Sequence, residues 1–506
     1  MKRKIVILIV GLVMLAVIQA DLNEQAIKNI FADELLSAED IYQQFMMFDD
    51  YQDVGEKGVV ILDSLADGSP WCYFVPDSYD ADKPNGLIIW LHGGVGREEY
   101  FEPEEYWFDH PIIEFAQEAD LLVLMPMSRG DCMWWEAAGE KHVFDELLIM
   151  KEKFNIDDDR VYMTGFSDGG SGSFHFGYRL PNEFAAFYPL NGMISVPAHV
   201  TGKTCFIRNL QNRYLRAVNT DQDGLYPAAS TRLTMDMALS AGANISYREY
   251  WGFGHDWGYF EEDLPLMAKD LLKRARDSFQ TKIYWECISA EEYNRCDWLE
   301  ITGLDTLAEK QDWQQEYNVQ LPDDKISFGF YHDSEFKGDG ILVNKVIEST
   351  LAAEMGLRDN DIIIAIDEVT ITNIDEMVEL KAGKQRGDEV SLTVFREGET
   401  YLLKAVFPET VYYDALFYEQ PSGAVKAKYY GNIFELDTSR VGALAIYINP
   451  EMVNLKIPVK VIINGVEVFN EIVGYEQEIM KENIIKNKDR KALWVNKLEF
   501  DVENEK

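Results

Sequence analysis

Positive charge is scarce in this sequence. Lysine and arginine number 47 against 88 aspartates and glutamates, a formal net charge of −41. A surface this acidic repels phosphate backbones and anionic lipid, which excludes nucleic acid and a charged membrane face as partners. Cysteine is scarce too. There are five, at positions 72, 132, 205, 287 and 296, and no C-x-x-C occurs. That excludes a thiolate metal cluster and a disulfide-stapled scaffold. Cys287 and Cys296 are the pair that proximity favours for a disulfide. Histidine is limited to seven residues, so few side chains can serve as a neutral-pH base. No internal repeat and no low-complexity linker interrupts the chain.

Long apolar runs are absent with one exception, IVILIVGLVMLAVI at residues 5–18. It follows the basic MKRK and is shorter than the ~20 residues a membrane span needs. Ala20 is a small residue ahead of the polar stretch DLNEQ. The pattern predicts a secretory signal peptide over residues 1–20, with an uncleaved signal anchor as the alternative. No cysteine follows the run, so a lipoprotein anchor is not indicated. The expectation is a secreted or periplasmic chain with no membrane contact beyond the signal peptide.

The chain has 506 residues, more than one core supports, and two to four domains are expected. Residues 22–48 carry helical periodicity and predict a helical lead-in within 21–57. From 58 the pattern alternates. The apolar runs LIIWL, LLVLMP and VYMTGF read as buried strands. IIEFAQEA, VFDELLIMKEKF and SGSFHFGYRL read as helices. This alternation predicts an α/β domain over 58–276, a mostly parallel sheet with helices on both faces. Residues 281–320 and 409–506 read as β and are assigned together to one β-sandwich-like domain. Between them, 326–408 forms a separate unit. Asn464-Gly465 supplies the positive φ values of a two-residue hairpin turn.

GFSDGG, residues 165–170, is a G-x-S-x-G pattern lying between a predicted strand and a predicted helix. Such an elbow exposes Ser167 as a nucleophile at a helix N-terminus. A serine needs a base, and the base an orienting acid, in the order Ser, acid, His. His255 in WGFGHDW lies just past the last strand, ISYREY, and is assigned as base. His175 falls within the helix after the elbow and His199 comes too early. The loop TDQDGLYP offers Asp221 and Asp223, of which Asp223 is favoured; Asp256 is read as a surface neighbour of the base. LIIWLHGGVGR places glycines after an early strand, so the N–H groups of Gly94 and Asp168 are assigned to an oxyanion hole. His92 is read as a brace of that loop.

LIIWLHGGVGR, FNIDDDRVYMTGFSDGG, DQDGLYP and FGHDW together resemble the bacterial α/β-hydrolase esterases. The nearest are the secreted feruloyl/acetyl-xylan esterase and polyhydroxyalkanoate-depolymerase group. The resemblance spans about residues 71–276. It implies carboxylic-ester hydrolysis through an acyl-enzyme, without a cofactor or metal, on a small-molecule or polysaccharide-linked ester. Asp168 departs from the small or apolar residue often found there, and an acid at that point disfavours anionic acyl groups unless it faces away. Trp134 and Trp135, in MSRGDCMWWEAAG, are candidates for a substrate platform, with core or lid packing as the alternative. Arg129 either binds a carboxylate or holds the loop. A prolyl-oligopeptidase-like peptidase and a catalytically inactive peptide-binding protein remain open.

GDGILVNKVIESTLAAEMGLRDNDIIIAIDEVTITNIDEMVELKAG resembles a PDZ domain of the kind found in bacterial periplasmic proteases. The resemblance implies capture of an extended peptide by strand addition. Phe328, Gly329 and Phe330 map to the carboxylate-binding loop, and Met377 and Leu380 to the groove. An intramolecular spacer is the alternative.

Overall fold

The computed structural model describes residues 29–31, 35–48, 51, 55–62, 69–101, 110–323, 325–333 and 335–502. The candidate signal peptide lies outside them. Among the described residues no helix is long and apolar enough to cross a membrane.

The α/β domain is built on eight strands: β1 (Gly58–Leu62), β2 (Trp71–Val75), β3 (Asn85–Leu91), β4 (Leu122–Pro126), β5 (Ile156–Phe166), β6 (Ala186–Leu190), β7 (Tyr214–Thr220) and β8 (Ile245–Tyr250). Their order in the sheet is β1-β2-β4-β3-β5-β6-β7-β8. β1 and β2 are antiparallel to their neighbours, and β3 through β8 are parallel. The unbroken apolar runs explain the parallel centre. Leu87–Leu91 and Leu122–Met125 are fully buried because helices cover both faces. This is an α/β-hydrolase fold. Parallel strands put all their C-terminal ends on one edge, so the turns after β3, β5, β6, β7 and β8 converge there.

The strands of 281–320 pair with those of the C-terminal region. Lys282–Cys287 pairs with Gly423–Tyr430 in a five-stranded sheet, and Leu299–Leu304 pairs with Val441–Ile448 in a four-stranded one. Trp285, Trp298, Phe434, Ile446 and Val461 fill one core between them. Ile41, Tyr42 and Phe45, on the helix Ala38–Met46, belong to this core and not to the hydrolase sheet. All five cysteines are buried, and Cys287 and Cys296 are both free thiols, so no bridge joins them. Cys287 lies in the five-stranded sheet and Cys296 in the four-stranded one, so closeness in sequence does not pair them. Burial raises both thiols, Cys287 to about 12.

The hydrolase and the sandwich form a single compact unit. Buried ion pairs stitch them. Arg213 grips Asp297 through both terminal nitrogens. Arg276 donates to Asp489 at 2.6 and 3.0 Å and to the Asn182 carbonyl at 3.0 Å. Lys151, paired within the hydrolase with Asp158 at 2.8 Å and Glu183 at 2.6 Å, also donates across to the Asn487 carbonyl at 3.3 Å.

Residues 319–415 form the second unit. Its six-stranded sheet runs Phe330–His332, Ile341–Val346, Ile362–Ile366, Glu389–Arg396, Glu399–Val406, with Val369–Thr370 pairing on Ile362–Ile366 off this path. The helix Ile374–Ala382 starts at Asn373, whose side chain accepts the Glu376 N–H at 3.1 Å.

Burial raises the Asp489 carboxyl, but Arg276 and Lys151 outweigh it and hold the group well below the usual carboxylate range. A depressed carboxyl stabilises the fold above its unfolded value, near ~3.9, and loses that contribution as pH falls toward the folded value. Arg276→Met is therefore expected to lower the unfolding free energy by about 3–5 kcal/mol at pH 7. Urea denaturation should show the deficit shrinking below about pH 4, where the wild type itself begins to lose the Asp489 contribution.

Candidate active site

Ser167 sits between β5 and the helix Asp168–Arg179 with φ 61° and ψ −121°. A non-glycine residue held there costs about 1–3 kcal/mol, and the surroundings must enforce it. The Ser167 N–H donates to the Leu190 carbonyl at 3.0 Å, and the Ser167 carbonyl accepts the Ser171 N–H at 3.0 Å. The turn is tight against β3. A Cβ on Gly169 would lie 1.9 Å from the Leu91 carbonyl oxygen, and one on Gly165 2.5 Å from it. Only glycine fits at either position.

His255 bridges the two groups that the sequence pairs with it. Its Nε2 is 2.8 Å from Ser167 Oγ and its Nδ1 is 2.8 Å from Asp223 Oδ2. An ionised Asp223 fixes the Nδ1–H tautomer, which leaves the Nε2 lone pair facing the serine hydroxyl. Asp223 accepts three further bonds: Asn191 Nδ2 at 2.9 Å and the N–H groups of Leu225 and Tyr226 at 2.8 and 2.7 Å. Burial pushes this carboxyl up, but the bonds from His255, Tyr226 and Asn191 outweigh it and hold it below its ordinary value. Phe166 packs against the His255 ring at 4.9 Å and stacks on Trp257 at 4.1 Å.

The other candidates go elsewhere. Asp221 accepts the Gly252 N–H at 2.6 Å and braces the loop carrying the histidine. Asp256 closes its own turn through the N–H groups of Gly254 and Gly258. His175 is buried against Glu140 at 2.6 Å.

Gly94 follows β3 at the same edge. Its N–H and that of Asp168 make no hydrogen bond with the described residues, so both can serve an oxyanion. His92 fixes this loop. Burial pushes its imidazole down to about 4, so it is neutral. Nε2 accepts the Ser128 N–H at 2.9 Å, and Nδ1, 2.8 Å from the Gly93 carbonyl, is then the donor to it.

The Asp168 side chain faces away from the serine and ties three segments together. Oδ2 accepts the Val95 N–H at 3.1 Å, and Oδ1 accepts the Tyr226 hydroxyl at 2.6 Å. Burial, then Asp168, pushes the Tyr226 phenol well up, so the phenol is the donor. Its carboxylate is thus occupied by the oxyanion loop and the acid loop. Neither Asn191 nor Tyr226 is singled out by sequence reasoning. The one available signal for Asn191 is its place directly after the apolar strand β6, at the C-terminal edge.

Trp134 and Trp135 do not form a platform. They are 0% and 3% exposed. Trp134 Nε1 donates to the His92 carbonyl at 2.9 Å, and its ring lies 5.1 Å from the His92 ring. It is a pillar under the oxyanion loop. Arg129 pairs with Asp131 at 2.8 Å and covers Tyr100, which holds the loop.

In the second unit, Phe328 is buried in the core and contributes only backbone to a binding loop. The carbonyls of Phe328 and Gly329 accept the N–H groups of Ala352 and Ile347 at 2.7 and 3.0 Å. Their own N–H groups make no bond with the described residues. Gly329 has φ +86°, and a Cβ there would sit 2.3 Å from Thr350 Cβ. A small cavity of about 120 Å³ adjoins this loop and is lined by Phe330, Met377, Val378 and Lys381. Leu380, expected in the groove, packs against the core instead.

The family model described as PDZ domain matches residues 332–405. This segment is a PDZ domain. Over 122 residues the chain is 29% identical to the bifunctional acetylxylan esterase/xylanase XynS20E of Neocallimastix patriciarum, covering 24% of this chain and 17% of that protein. Over 81 residues it is 37% identical to the serine protease HTRA4 of Homo sapiens, 16% of each. A solved thermostable esterase is 20% identical, covers 43% of this chain and 63% of that one, and superposes with a TM-score of 0.34. The chain spans less than half the length of the curated relatives it matches.

Asp168→Ala removes the acceptor of the Val95 N–H and of the Tyr226 hydroxyl. A loss of about 1–3 kcal/mol of stability is expected from the buried Val95 N–H left without its acceptor, read by urea denaturation. Asp168→Asn, which keeps one acceptor oxygen, should lose less.

Proposed function

We propose that this chain is an exported serine hydrolase that cleaves carboxylic esters, carbohydrate-linked acyl esters foremost, through an acyl-enzyme. One observation carries the reading: His255 lies 2.8 Å from Ser167 Oγ on one side and 2.8 Å from Asp223 on the other. In the proposed reaction His255 Nε2 takes the hydroxyl proton as Oγ attacks the ester carbonyl carbon. The N–H groups of Gly94 and Asp168 hold the oxygen that gains charge, and such donors contribute about 10²–10³ in rate each. The C–O bond to the alcohol breaks, and His255 returns the proton to the departing oxygen. Water, deprotonated by the same nitrogen, then releases the acid. Asp223, held ionised by its hydrogen bonds, stabilises the imidazolium formed in both halves.

Esters are favoured over amides by the relatives that align with this chain, an acetylxylan esterase and feruloyl esterases. Export rests on the basic and apolar start, residues 1–20. The PDZ domain is proposed to bind an extended peptide alongside Phe330–His332, its terminal carboxylate on the N–H groups of Phe328 and Gly329.

Kinetics on p-nitrophenyl acetate and on acetylated and feruloylated sugars test this reading. The wild-type chain should turn over at least one of these esters. Ser167→Ala and Asp223→Asn should each lower kcat by about 10⁴-fold or more with KM little changed. Undiminished turnover in Ser167→Ala would sink the proposal.

A further inference from the structure

A second cavity, of about 620 Å³, opens between the 3₁₀ turn Ile207–Gln211 of the hydrolase and the five-stranded sheet of the sandwich. Four cations line it: Arg208, Lys282, Lys426 and Lys428. The lining carboxylates are Glu435 and Asp437. In a chain of net charge −41 this local excess of positive charge is out of keeping with the surface.

The cations are also poorly matched with one another. Lys428 is paired with Glu435 at 2.6 Å, but Lys282 stands directly opposite Lys428 in the antiparallel ladder. Like charges facing across strands are destabilising. Asp437 stands opposite Lys426 in register, yet Arg208, Lys282 and Lys426 make no ion pair with the described residues. Arg208 lies over the Tyr284 ring at 3.9 Å and donates through Nη1 to the Trp313 carbonyl at 2.9 Å. Its Nε is buried without a hydrogen-bond partner among the described residues. Lys426 Nζ lies 4.4 Å from the Trp313 ring centroid. Burial, then the neighbouring Arg208, lowers the Lys426 ammonium from its ordinary value, and Asp437 across the ladder offsets this only in part. Glu286, a buried acid that feels the Arg208 charge, is already bonded to Tyr284, Ser422 and Gln314.

We infer that this cavity is a binding site for a carboxylate-bearing ligand the size of a sugar acid. Arg208 and Lys426 take the carboxylate, and Lys282 and Gln211 are the donors left for hydroxyl groups. The volume falls within the ~300–1,000 Å³ range of small-molecule sites. Cations held over aromatic faces lose little freedom when an anion arrives, so the site is ready for its ligand before it binds. None of the lining residues belongs to the proposed catalytic set, and the inference stands whether or not the chain hydrolyses esters.

Isothermal titration with D-galacturonate tests it, with D-galactose and inorganic phosphate as comparators on the full chain. Galacturonate should bind saturably and at least about tenfold tighter than galactose, the difference of one desolvated ion pair. Lys426→Met and, separately, Lys282→Ser should each weaken galacturonate by about tenfold or more. Their melting temperatures should not fall below that of the wild type, since each change removes a like-charge contact, and their p-nitrophenyl acetate kinetics should match it. Equal binding of galacturonate and galactose, or unchanged affinity in both variants, overturns the site. Phosphate binding tighter than galacturonate overturns the assignment to a carboxylate.

Discussion

Ser167 is held at φ 61° and ψ −121°, and much of the surrounding architecture can be derived from that one strained residue. The strain is enforced from three sides. β5 delivers the residue, the helix Asp168–Arg179 leaves from it at once, and β3 presses on the turn through the Leu91 carbonyl. The glycines at 165 and 169 are required by that contact rather than by any freedom of their own backbone. Because β3 touches the turn, the loop that follows β3 lands beside the serine. His92, kept neutral by burial, and Trp134 beneath it then fix where the Gly94 N–H lies.

Asp168 links this local geometry to the rest of the edge. One carboxylate oxygen takes the loop after β3 and the other takes Tyr226 from the loop after β7. The same loop after β7 carries Asp223, itself fixed by Asn191 from the turn after β6. The ends of four strands, β3, β5, β6 and β7, are thereby registered to one another by side-chain hydrogen bonds. Preorganisation of this kind means that donors and base need not reorient when charge develops, which is where much of an enzyme's rate advantage arises.

The sheet and the order of the candidate residues are legible in the sequence because both are written locally. Strands buried on both faces read as unbroken apolar runs, and a nucleophile, acid and base in this fold come at the ends of successive strands. The choice of Asp223 over Asp221 is also legible, from the tight return Gly-Leu-Tyr-Pro that bonds back to its carboxylate. What is not legible depends on contacts between distant segments. Whether Trp134 is a platform or a pillar depends on His92, 42 residues away. The purpose of Asp168 needs Val95 and Tyr226. The lead-in helix shows its periodicity, but nothing in it says that Ile41 and Phe45 pack into a core more than 200 residues downstream. Cys287 and Cys296 are near in sequence, yet the chain between them crosses from one sheet to the other.

The sandwich is part of the same folded unit as the hydrolase, joined by buried pairs such as Arg276–Asp489 and Arg213–Asp297. It therefore braces the hydrolase, and the two together line the cationic cavity. The role of Ser167 as nucleophile is what every other assignment at the sheet edge depends on. Mass spectrometry of the intact chain after treatment with a fluorophosphonate, followed by peptide mapping, tests it most directly. The account predicts a single adduct, on the peptide containing Ser167, and none when His255 is replaced by alanine. No adduct on the wild-type chain, or an adduct on another serine with Ser167 unmodified, would contradict it.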